Sequence, residues 1–416
     1  MKNPVQFASI GFVVFVLFLF LMSCSVEPAG TSANTAVKTG GEVLISHFLD
    51  ELEGQRVGLV MNPTAVVKDV HMLDTLMAQN VEVAALFAPE HGFRGEAGAG
   101  EKIEDGFDQQ TGLPVFSLYG DTRKPTPEML ENIDLLIFDM QDVGARFYTY
   151  HATMGLVIEA AADAGIPIWI LDRPNPLGGE YISGWIREDE FVSFVGPYPM
   201  PVAHGMTLGE LAKMMVGEGW LDTDFSPDLR VIEMEGWDRT MLWPDTGLPW
   251  IAPSPNLPTF EHAYVYLGTC LIEGTTLSEG RGTEDPFLLI GSPSTQFEEE
   301  SFESLNQNIS GGRVSPAVFT PESIPGIATN PKHEGEESYG IRIHVDDFIS
   351  YDPFLNGLII IAELMQHSAE ASTNNFLYNL AGTRKIDSVI SGEVSPGEVE
   401  FELDSFREAR KEYLIY

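Results

Sequence analysis

The chain has 416 residues, with 62 acidic and 23 basic side chains, and its formal net charge at pH 7 is −39. Hydrophobic residues make up 44% of it, which is enough for a packed core and excludes a wholly disordered or low-complexity protein. The charge argues against nucleic acid or an anionic lipid surface as the main partner, because both attract a basic protein face.

The first 23 residues are typical of a secretory signal peptide. Lys2 precedes an uncharged, apolar run over residues 10–22, which is short for a membrane-spanning helix. The run ends in Leu-Met-Ser-Cys, and a small residue before Cys24 resembles the lipobox of bacterial lipoproteins. We expect residues 1–23 to be removed and Cys24 to be lipidated, which would place the protein in the bacterial cell envelope, facing the periplasm. An ordinary signal peptide or a signal anchor is the alternative.

Residues 24–42 are rich in small and polar side chains and are expected to form a flexible tether. The only cysteine besides Cys24 is Cys270, so a lipidated Cys24 leaves no partner for an intramolecular disulfide or a zinc–thiolate cluster. Cys270 lies in an apolar stretch, which favours a buried small hydrophobe over a nucleophile.

From residue 43 to residue 179, short apolar runs alternate with amphipathic stretches. The apolar runs predict strands over residues 56–62, 81–87, 114–119, 133–140 and 166–171. The amphipathic stretches predict helices over residues 71–80, 127–132 and 152–164. Apolar strands that alternate with helices predict a parallel sheet covered on both faces. The expected fold class is therefore α/β, with a Rossmann-like, doubly wound N-terminal domain.

The second half of the chain has a less regular pattern. Thr207 as N-cap and Glu210 as capping-box acid predict a helix over residues 207–219. Further predicted strands cover residues 229–234, 264–271 and 339–345, with helices over 353–368 and 405–413, a wrapping loop over 242–258 and surface loops over 292–303 and 329–338. We expect a Rossmann-like domain over residues 43–258 and a smaller α+β domain over residues 259–416 that contributes to a cleft, in line with the chain length.

Polar side chains follow three of the predicted strands. Glu90, His91 and Arg94 follow the strand predicted over residues 81–87. The end of the strand over 133–140 carries Asp139, Gln141, Asp142, Arg146 and Tyr148, and the strand over 166–171 is followed by Asp172, Arg173 and Asn175. In a doubly wound sheet, ligands bind outside the carboxyl ends of the strands, so these side chains are expected to converge there.

The nucleotide-binding and serine-hydrolase motifs are absent from the sequence. No glycine-rich dinucleotide turn follows the first strand, and neither a P-loop nor a Gly-x-Ser-x-Gly elbow occurs. A metal site built from His91, Asp139 and Asp142 is conceivable, but their spacing is not typical of one. We therefore expect no cofactor and no metal.

Glu90 is the residue that we single out as a candidate for the chemistry. Pro89 stiffens the chain before it, and Gly92 permits a sharp loop after it. A carboxylic acid in a partly desolvated cleft is suited to protonate a leaving oxygen. The alternative is that Glu90 pairs with Arg94 and only holds the loop.

Other candidates have structural alternatives of their own. Arg281, flanked by two glycines, can reach a cleft with Glu279, or it can be paired with Glu279 and Glu284 in a structural turn. Asp172 and Arg173 can form an ion pair that shapes their loop, and Tyr148 can be a packing residue. His204, before a glycine, is a weak candidate for a ligand contact.

Seven ordered motifs resemble the NamZ family of exo-β-N-acetylmuramidases. They are APEHGFRG at residues 88–95, DMQDVGARFYTY at 139–150, LDRPNPLGG at 171–179, HGMTLGELA at 204–212, PSPNLP at 253–258, EGRGT at 279–283 and YLIY at 413–416. The resemblance runs from about residue 43 to residue 416. It implies a Rossmann-like catalytic domain, a smaller C-terminal domain, and an active cleft at their junction.

The resemblance also implies an activity, namely removal of terminal β-1,4-linked N-acetylmuramic acid from the non-reducing end of peptidoglycan fragments such as disaccharides or muropeptides. It maps the catalytic acid to Glu90 and a second implicated glutamate to Glu210. The cation at the lactyl carboxylate is expected to be one of Arg94, Arg146, Arg173 and Arg281. The remaining substrate contacts are expected at His91, Asp142, Tyr148, Asp172, Asn175, His204 and Glu279.

Glycoside cleavage also needs a group that stabilises the oxocarbenium-like carbon, either a second carboxylate or the 2-acetamido group of the sugar. Two other functions stay open. A non-catalytic sugar-binding or muropeptide-binding lipoprotein would also have two domains on a tether. A metal-dependent hydrolase is the other alternative hypothesis.

Overall fold

The structure is a computed structural model that describes residue 1 and residues 36–94, 105–120 and 122–416. The predicted lipidation site, Cys24, and the predicted signal peptide after Met1 lie outside the described residues. Over these residues the strands are β1 (Arg56–Met61), β2 (Val66–Val67), β3 (Val70–His71), β4 (Glu82–Ala88), β5 (Gly106–Phe107), β6 (Pro114–Ser117), β7 (Leu135–Asp139), β8 (Ile168–Leu171), β9 (Leu229–Ile232), β10 (Leu289–Ser292), β11 (Gly312–Phe319) and β12 (Ser338–Val345).

The α-helices of the same residues are α1 (Gly40–Val43), α2 (Met72–Ala78), α3 (Pro127–Leu130), α4 (Tyr150–Ala164), α5 (Leu208–Gly217), α6 (Phe260–Thr269), α7 (Glu299–Asn308), α8 (Pro353–Gln366), α9 (Phe376–Ala381), α10 (Ile386–Ile390) and α11 (Asp404–Arg410). Helix α5 begins at the predicted capping box, in which Thr207 Oγ1 accepts from Glu210 N–H at 3.2 Å and Glu210 Oε2 accepts from Thr207 N–H at 3.0 Å. In the described part of the chain, no helix is both long enough and apolar enough to cross a bilayer.

The main sheet has the strand order β5-β6-β4-β1-β7-β8-β9 over the described residues. All neighbouring pairs from β6 to β9 are parallel, and only the short edge strand β5 pairs antiparallel. The order runs outward from β1 to one side and then reverses to the other side through β7, which is the doubly wound pattern. The expected α/β, Rossmann-like fold class is confirmed.

The residues of each strand alternate between two cores. Leu59 of β1 and Ile137 of β7 face the core that also holds helix α2, whereas Val60 and Phe138 face the core of helices α4 and α5. All four side chains are almost fully buried. Because both faces are covered, the strands are apolar throughout, and this is why unbroken hydrophobic runs predicted them.

The C-terminal part contains a three-stranded antiparallel sheet in the order β10-β12-β11, with helices around it. The prediction of a strand over residues 264–271 was wrong, because this stretch lies mostly in helix α6. The helix is buried on nearly all sides, so its sequence shows no 3.6-residue period. It crosses helix α8 at a contact of Gly268 with Gly357, where a Cβ on Gly268 would lie 2.1 Å from the Pro353 carbonyl oxygen. The predicted surface loop over residues 292–303 also differs, since its end forms the start of helix α7.

Residues 36–42, expected to belong to the tether, are part of the folded protein. Val37 donates to the Thr246 carbonyl at 2.9 Å, and Lys38 exchanges two backbone hydrogen bonds with Glu235. Gly40 donates to the Asp172 carbonyl at 2.8 Å. A Cβ on Gly40 would lie 2.4 Å from the Asp172 nitrogen, so this close approach requires glycine. The small residues that made this stretch resemble a linker are therefore the ones that allow it to pack closely against the rest of the protein.

The last residues of the sequence pack against the main sheet. Arg410 Nη1 donates to the carbonyls of Gly179, at 2.9 Å, and Gly205, at 2.7 Å. The Ile415 N–H donates to Glu210 Oε1 at 3.0 Å, and the Tyr416 hydroxyl donates to Asp172 Oδ2 at 2.8 Å. We call residues 410–416 the docking segment. It covers the carboxyl ends of β8 and β9.

Candidate active site

A cavity of about 570 Å³ opens at the carboxyl ends of β4 and β6. Its N-terminal wall includes Glu90, His91, Tyr119, Arg123, Phe147, Tyr148, Thr149 and Phe194. Its C-terminal wall includes Tyr266, Glu273, Glu279, Arg281, Phe287 and residues 327–332. Its volume is in the range of pockets that bind small-molecule ligands.

Glu90 lies on a tight turn directly after β4. The turn is closed by Gly92 N–H, which donates to the Pro89 carbonyl at 3.0 Å. His91 has φ +73°, a left-handed conformation that costs a non-glycine residue about 1–3 kcal/mol. Backbone strain of this kind is concentrated at functional sites, where the surrounding structure holds it. Glu90 is half-buried at the cavity wall.

Two hydroxyl groups contact the Glu90 carboxylate. Thr149 Oγ1, from the segment that leads into helix α4, donates to Glu90 Oε2 at 3.0 Å. Burial, and then the Glu90 carboxylate with which its hydroxyl hydrogen-bonds, raise the pKa of Tyr119 well above its usual value. Tyr119 is therefore a neutral donor that orients the carboxylate. The alternative pairing with Arg94 does not occur, because Arg94 Nε pairs with Asp108 Oδ1 at 3.1 Å.

The C-terminal wall holds a network of two carboxylates and two cations. Arg281 Nη2 pairs with Glu273 Oε1 at 2.6 Å, and its Nε lies 3.6 Å from Glu279 Oε1. Lys332 Nζ pairs with Glu279 Oε2 at 2.9 Å and donates to the carbonyls of Ile272 and Leu277. Of the two glutamates that the structural alternative gave to Arg281, Glu279 lies near it, whereas Glu284 is exposed and Glu273 takes its place.

Aromatic rings form the floor of the cavity. Tyr148 is 7% exposed, and its ring meets Tyr266 edge-on at 6.1 Å between centroids. Phe147 meets the same Tyr266 ring at 5.3 Å, and Phe287 meets it at 4.8 Å. Tyr148 therefore both packs and faces the cavity. Such apolar faces can carry the C–H face of a sugar ring.

Of the residues predicted from sequence, five line this cavity together: Glu90, His91, Tyr148, Glu279 and Arg281. Arg94, Asp142, Arg146, Asp172, Arg173, Asn175, His204 and Glu210 do not line it. Arg146 is fully buried and donates to the carbonyls of Trp185, Met200 and Leu380, so it bridges chain segments. Its prediction as a substrate contact was wrong.

Asp172 and Arg173 do not pair with each other, contrary to the expected ion pair. Arg173 pairs with Asp139 and borders a second cavity of about 220 Å³, at the point where the strand order reverses. Asp172 accepts from Thr207 Oγ1 at 2.7 Å and from the Tyr416 hydroxyl, which makes it a structural anchor.

Asn175 and His204 also serve the fold rather than the cavity. Asn175 donates to the Met206 carbonyl at 3.0 Å and accepts from the Leu177 N–H. His204 Nδ1 accepts from the Met206 N–H, and burial lowers the pKa of His204 to about 3. The buried imidazole is therefore neutral.

Glu210, the second glutamate expected in catalysis, is fully buried away from the cavity. Its carboxylate completes the capping box of helix α5 and pairs with Arg239 Nη1 at 2.6 Å. It also accepts from Ile415 in the docking segment. These partners favour a structural role for its carboxylate, and its role in catalysis stays a prediction.

Asp142 makes stability depend on pH. Its Oδ1 accepts from Gly144 N–H at 2.7 Å, and burial raises the pKa of Asp142 to about 7. A raised carboxyl pKa means that the folded state holds a proton which the unfolded state has lost, so stability falls as pH rises from about 4 to about 7. From pH 5 to pH 8 we expect Asp142→Asn to gain about 3 kcal/mol in the free energy of unfolding relative to the original protein, measured by urea unfolding.

Asp134→Asn is the matched control for this prediction. Arg56 lowers the pKa of Asp134 to about 2, below the tested range, so its effect on unfolding should be equal at pH 5 and pH 8. Parallel pH profiles for Asp142→Asn and the original protein would contradict the role of Asp142.

Sequence reasoning missed Tyr119, Arg123, Thr149, Glu273 and Lys332. Tyr119 and Arg123 follow β6, so the rule that ligands gather at the carboxyl ends of strands applies to them as well. Lys332 lies in the stretch over residues 329–338 that was predicted to be a surface loop, but residues 329–332 line the cavity. For Glu273 and Lys332 no local pattern signals the pairing, because it is made by tertiary contacts.

Fold and site together define an α/β protein with an acid-bearing, aromatic-floored cavity between a doubly wound sheet and a C-terminal wall. Profiles of exo-β-N-acetylmuramidase NamZ match nearly the whole described chain, the N-terminal profile over residues 57–261 and the C-terminal profile over residues 264–416. The chain therefore belongs to the NamZ family. The domain boundary expected after residue 258 stays a prediction.

Similar proteins extend over the same length. Peptidoglycan beta-N-acetylmuramidase NamZ of Bacillus subtilis (strain 168) is 43% identical over 398 residues, which cover 93% of each chain. Crystal structures of two DUF1343 family proteins from Bacteroides fragilis NCTC 9343 have TM-scores of 0.80 and 0.77, at 34% and 32% identity. Each match covers 92% of this chain and 99% of the other.

Proposed function

We propose that this protein is an exo-acting glycoside hydrolase that releases terminal β-1,4-linked N-acetylmuramic acid from the non-reducing end of peptidoglycan fragments. The observation that carries the proposal is the position of Glu90 on a strained turn at the wall of the cavity. The 43% identity to a peptidoglycan β-N-acetylmuramidase over 93% of the chain supports the substrate class.

Glu90 acts as the general acid. Its carboxyl group donates a proton to the glycosidic oxygen as the bond to the sugar C1 breaks, and the next sugar leaves as an alcohol. A water molecule then supplies the hydroxyl group at C1 of the released N-acetylmuramic acid and the proton that restores the acid. Thr149 and Tyr119 hold the carboxyl group in place, so that its proton is aimed at one position in the cavity.

The cation network separates the roles of the three glutamates that line the cavity. Glu273 and Glu279 each contact a cation at less than 3 Å. The Glu90 side chain is instead contacted by the hydroxyl groups of Thr149 and Tyr119. We assign the proton transfer to Glu90, whereas the glutamates paired with Arg281 and Lys332 supply negative charge near the developing positive charge of the sugar.

The experiment that tests the function compares two disaccharides. We expect the purified protein to release free N-acetylmuramic acid from one in which it is the non-reducing sugar linked β-1,4 to N-acetylglucosamine. The disaccharide with the reverse order is the control, because it has no muramic acid at the end that an exo-enzyme attacks. Saturable binding without release would support the sugar-binding alternative. Loss of release with a chelator would support the metal-dependent one.

We also propose that Cys24 is lipidated and holds the protein in the cell envelope, facing the periplasm. The apolar run that ends in Leu-Met-Ser-Cys supports this localisation, as does a substrate that is itself part of the envelope. We expect Cys24→Ala to move the protein from the membrane fraction to the soluble fraction and to abolish labelling by a fatty-acid probe. Unchanged fractionation and labelling would contradict the anchor.

A further inference from the structure

The cavity contains three acidic side chains and three Arg or Lys side chains, and most of them are paired. Arg281 and Lys332 are held by Glu273 and Glu279. Two of the arginines expected to read the substrate, Arg94 and Arg173, pair with Asp108 and Asp139 outside this cavity. Arg146, which was also expected to contact the substrate, donates to three backbone carbonyls. Each of the predicted arginines therefore already has a carboxylate or carbonyl partner, and Arg281, which lines the cavity, keeps only its buried Nη1 without a hydrogen-bond partner among the described residues.

Arg123 is different. It lines the cavity, is exposed, and has no ion pair with a carboxylate of residues 36–94, 105–120 or 122–416. Its guanidinium stacks over the Phe194 ring at 4.2 Å, and the Tyr119 ring lies 6.5 Å from Phe194. Stacking on a ring fixes the plane of a guanidinium but leaves its N–H edge available for a carboxylate.

Arg123 and Glu90 both influence the Tyr119 hydroxyl group, which lies in the cavity wall. The Tyr119 hydroxyl bonds to Glu90, and the positive charge of Arg123 is close enough to act on it as well. In N-acetylmuramic acid the lactyl ether is on C3 and the scissile oxygen is on C1 of the same ring. A carboxylate-reading group near the general acid is thus what a single bound muramic acid requires.

We infer that Arg123 binds the lactyl carboxylate and so selects N-acetylmuramic acid over N-acetylglucosamine. The inference rests on the proposed function. A protein with a net charge of −39 repels an anionic sugar unless a cation in the binding site offsets the repulsion. Arg123 supplies that cation, and its guanidinium can donate two hydrogen bonds to one carboxylate. Arg123 is a specificity residue, whereas Glu90 carries out the bond cleavage.

The test measures how free N-acetylmuramic acid and free N-acetylglucosamine bind to the original protein and to Arg123→Gln, by calorimetry. We expect Arg123→Gln to weaken binding of N-acetylmuramic acid about 10- to 100-fold, as for loss of a charge-assisted contact, and to leave N-acetylglucosamine unchanged. Arg123→Lys should recover part of the loss, because it keeps the charge without the planar fork. The lactyl amide of N-acetylmuramic acid, which has no charge, should bind equally to the original protein and to Arg123→Gln.

Arg230→Gln is the matched control. Arg230 is also stacked on aromatic rings, Phe48 at 4.5 Å and Trp169 at 4.7 Å, but it does not line the cavity. We expect it to bind both sugars as the original protein does. Equal weakening of both sugars by Arg123→Gln, or no weakening, would overturn the inference. Because binding is measured without turnover, failure of the proposed hydrolase activity would appear separately, as absence of release by the original protein.

Discussion

Glu90→Gln abolishes release of N-acetylmuramic acid without unfolding the protein: this is the largest effect that we expect. Glutamine keeps an oxygen that accepts from Thr149 and Tyr119, so the turn and the cavity wall are retained. It cannot donate the proton that the leaving oxygen needs, and loss of a general acid costs about 10²–10⁴-fold in rate. The measurements are turnover of the disaccharide and the thermal unfolding midpoint.

Three comparisons sharpen this result. A glycoside with a nitrophenol leaving group needs less protonation, so Glu90→Gln should lose less activity on it than on the disaccharide. Thr149→Val, which removes the hydroxyl that orients Glu90, should cost about tenfold, comparable to one hydrogen bond. Glu284→Gln changes an exposed glutamate outside the cavity and should be silent. Near-normal turnover of the disaccharide by Glu90→Gln would remove Glu90 from the mechanism.

Glu210→Ala should give the opposite outcome, with loss of stability and retained turnover. The substitution leaves Arg239, 15% exposed, without its carboxylate, and frees the N–H groups of Thr207 and Ile415. Removal of one partner of a buried ion pair costs about 3–5 kcal/mol, so we expect a loss of this size in the free energy of unfolding by urea. The fraction that remains folded should keep its kcat.

Glu218→Ala is the matched control for Glu210→Ala. Glu218 lies at the other end of helix α5 and is exposed, and within the described part of the chain its side chain accepts only from the Tyr413 hydroxyl, at 2.9 Å. Its loss should cost less than about 1 kcal/mol. A stable Glu210→Ala variant that lost turnover as completely as Glu90→Gln would instead place Glu210 in the chemistry.

The main sheet could be predicted because each of its long strands is an apolar run between turn residues. The bounds of β1, β4, β6, β7, β8 and β9 lie within about two residues of the predictions. Helix α6 could not be predicted, because a helix buried on every side loses the periodicity that identifies helices. Gly40 and Gly41 were interpreted as linker residues because composition does not distinguish flexible glycines from closely packed ones.

The site was harder to predict than the sheet. Position after a strand identified Glu90, His91 and Tyr148, because in a doubly wound sheet topology alone brings strand ends together. It could not distinguish Arg146, whose charge is satisfied by three carbonyls, from Arg123, which faces the cavity. The two arginines differ in the hydrogen-bond acceptors that surround each guanidinium in the folded protein, and a sequence motif does not contain that information.

The docking segment has a consequence for attempts to divide this protein. Tyr416 reaches Asp172 across 244 positions of sequence, and Ile415 reaches Glu210 across 205. A fragment cut near residue 258 would keep every strand of the large sheet and yet lose the hydrogen bonds that Tyr416 and Ile415 give to two interior carboxylates. We would therefore expect the sheet half to aggregate when expressed alone and to become soluble when the other half is co-expressed, so that the two halves behave as one folding unit despite their separate family profiles.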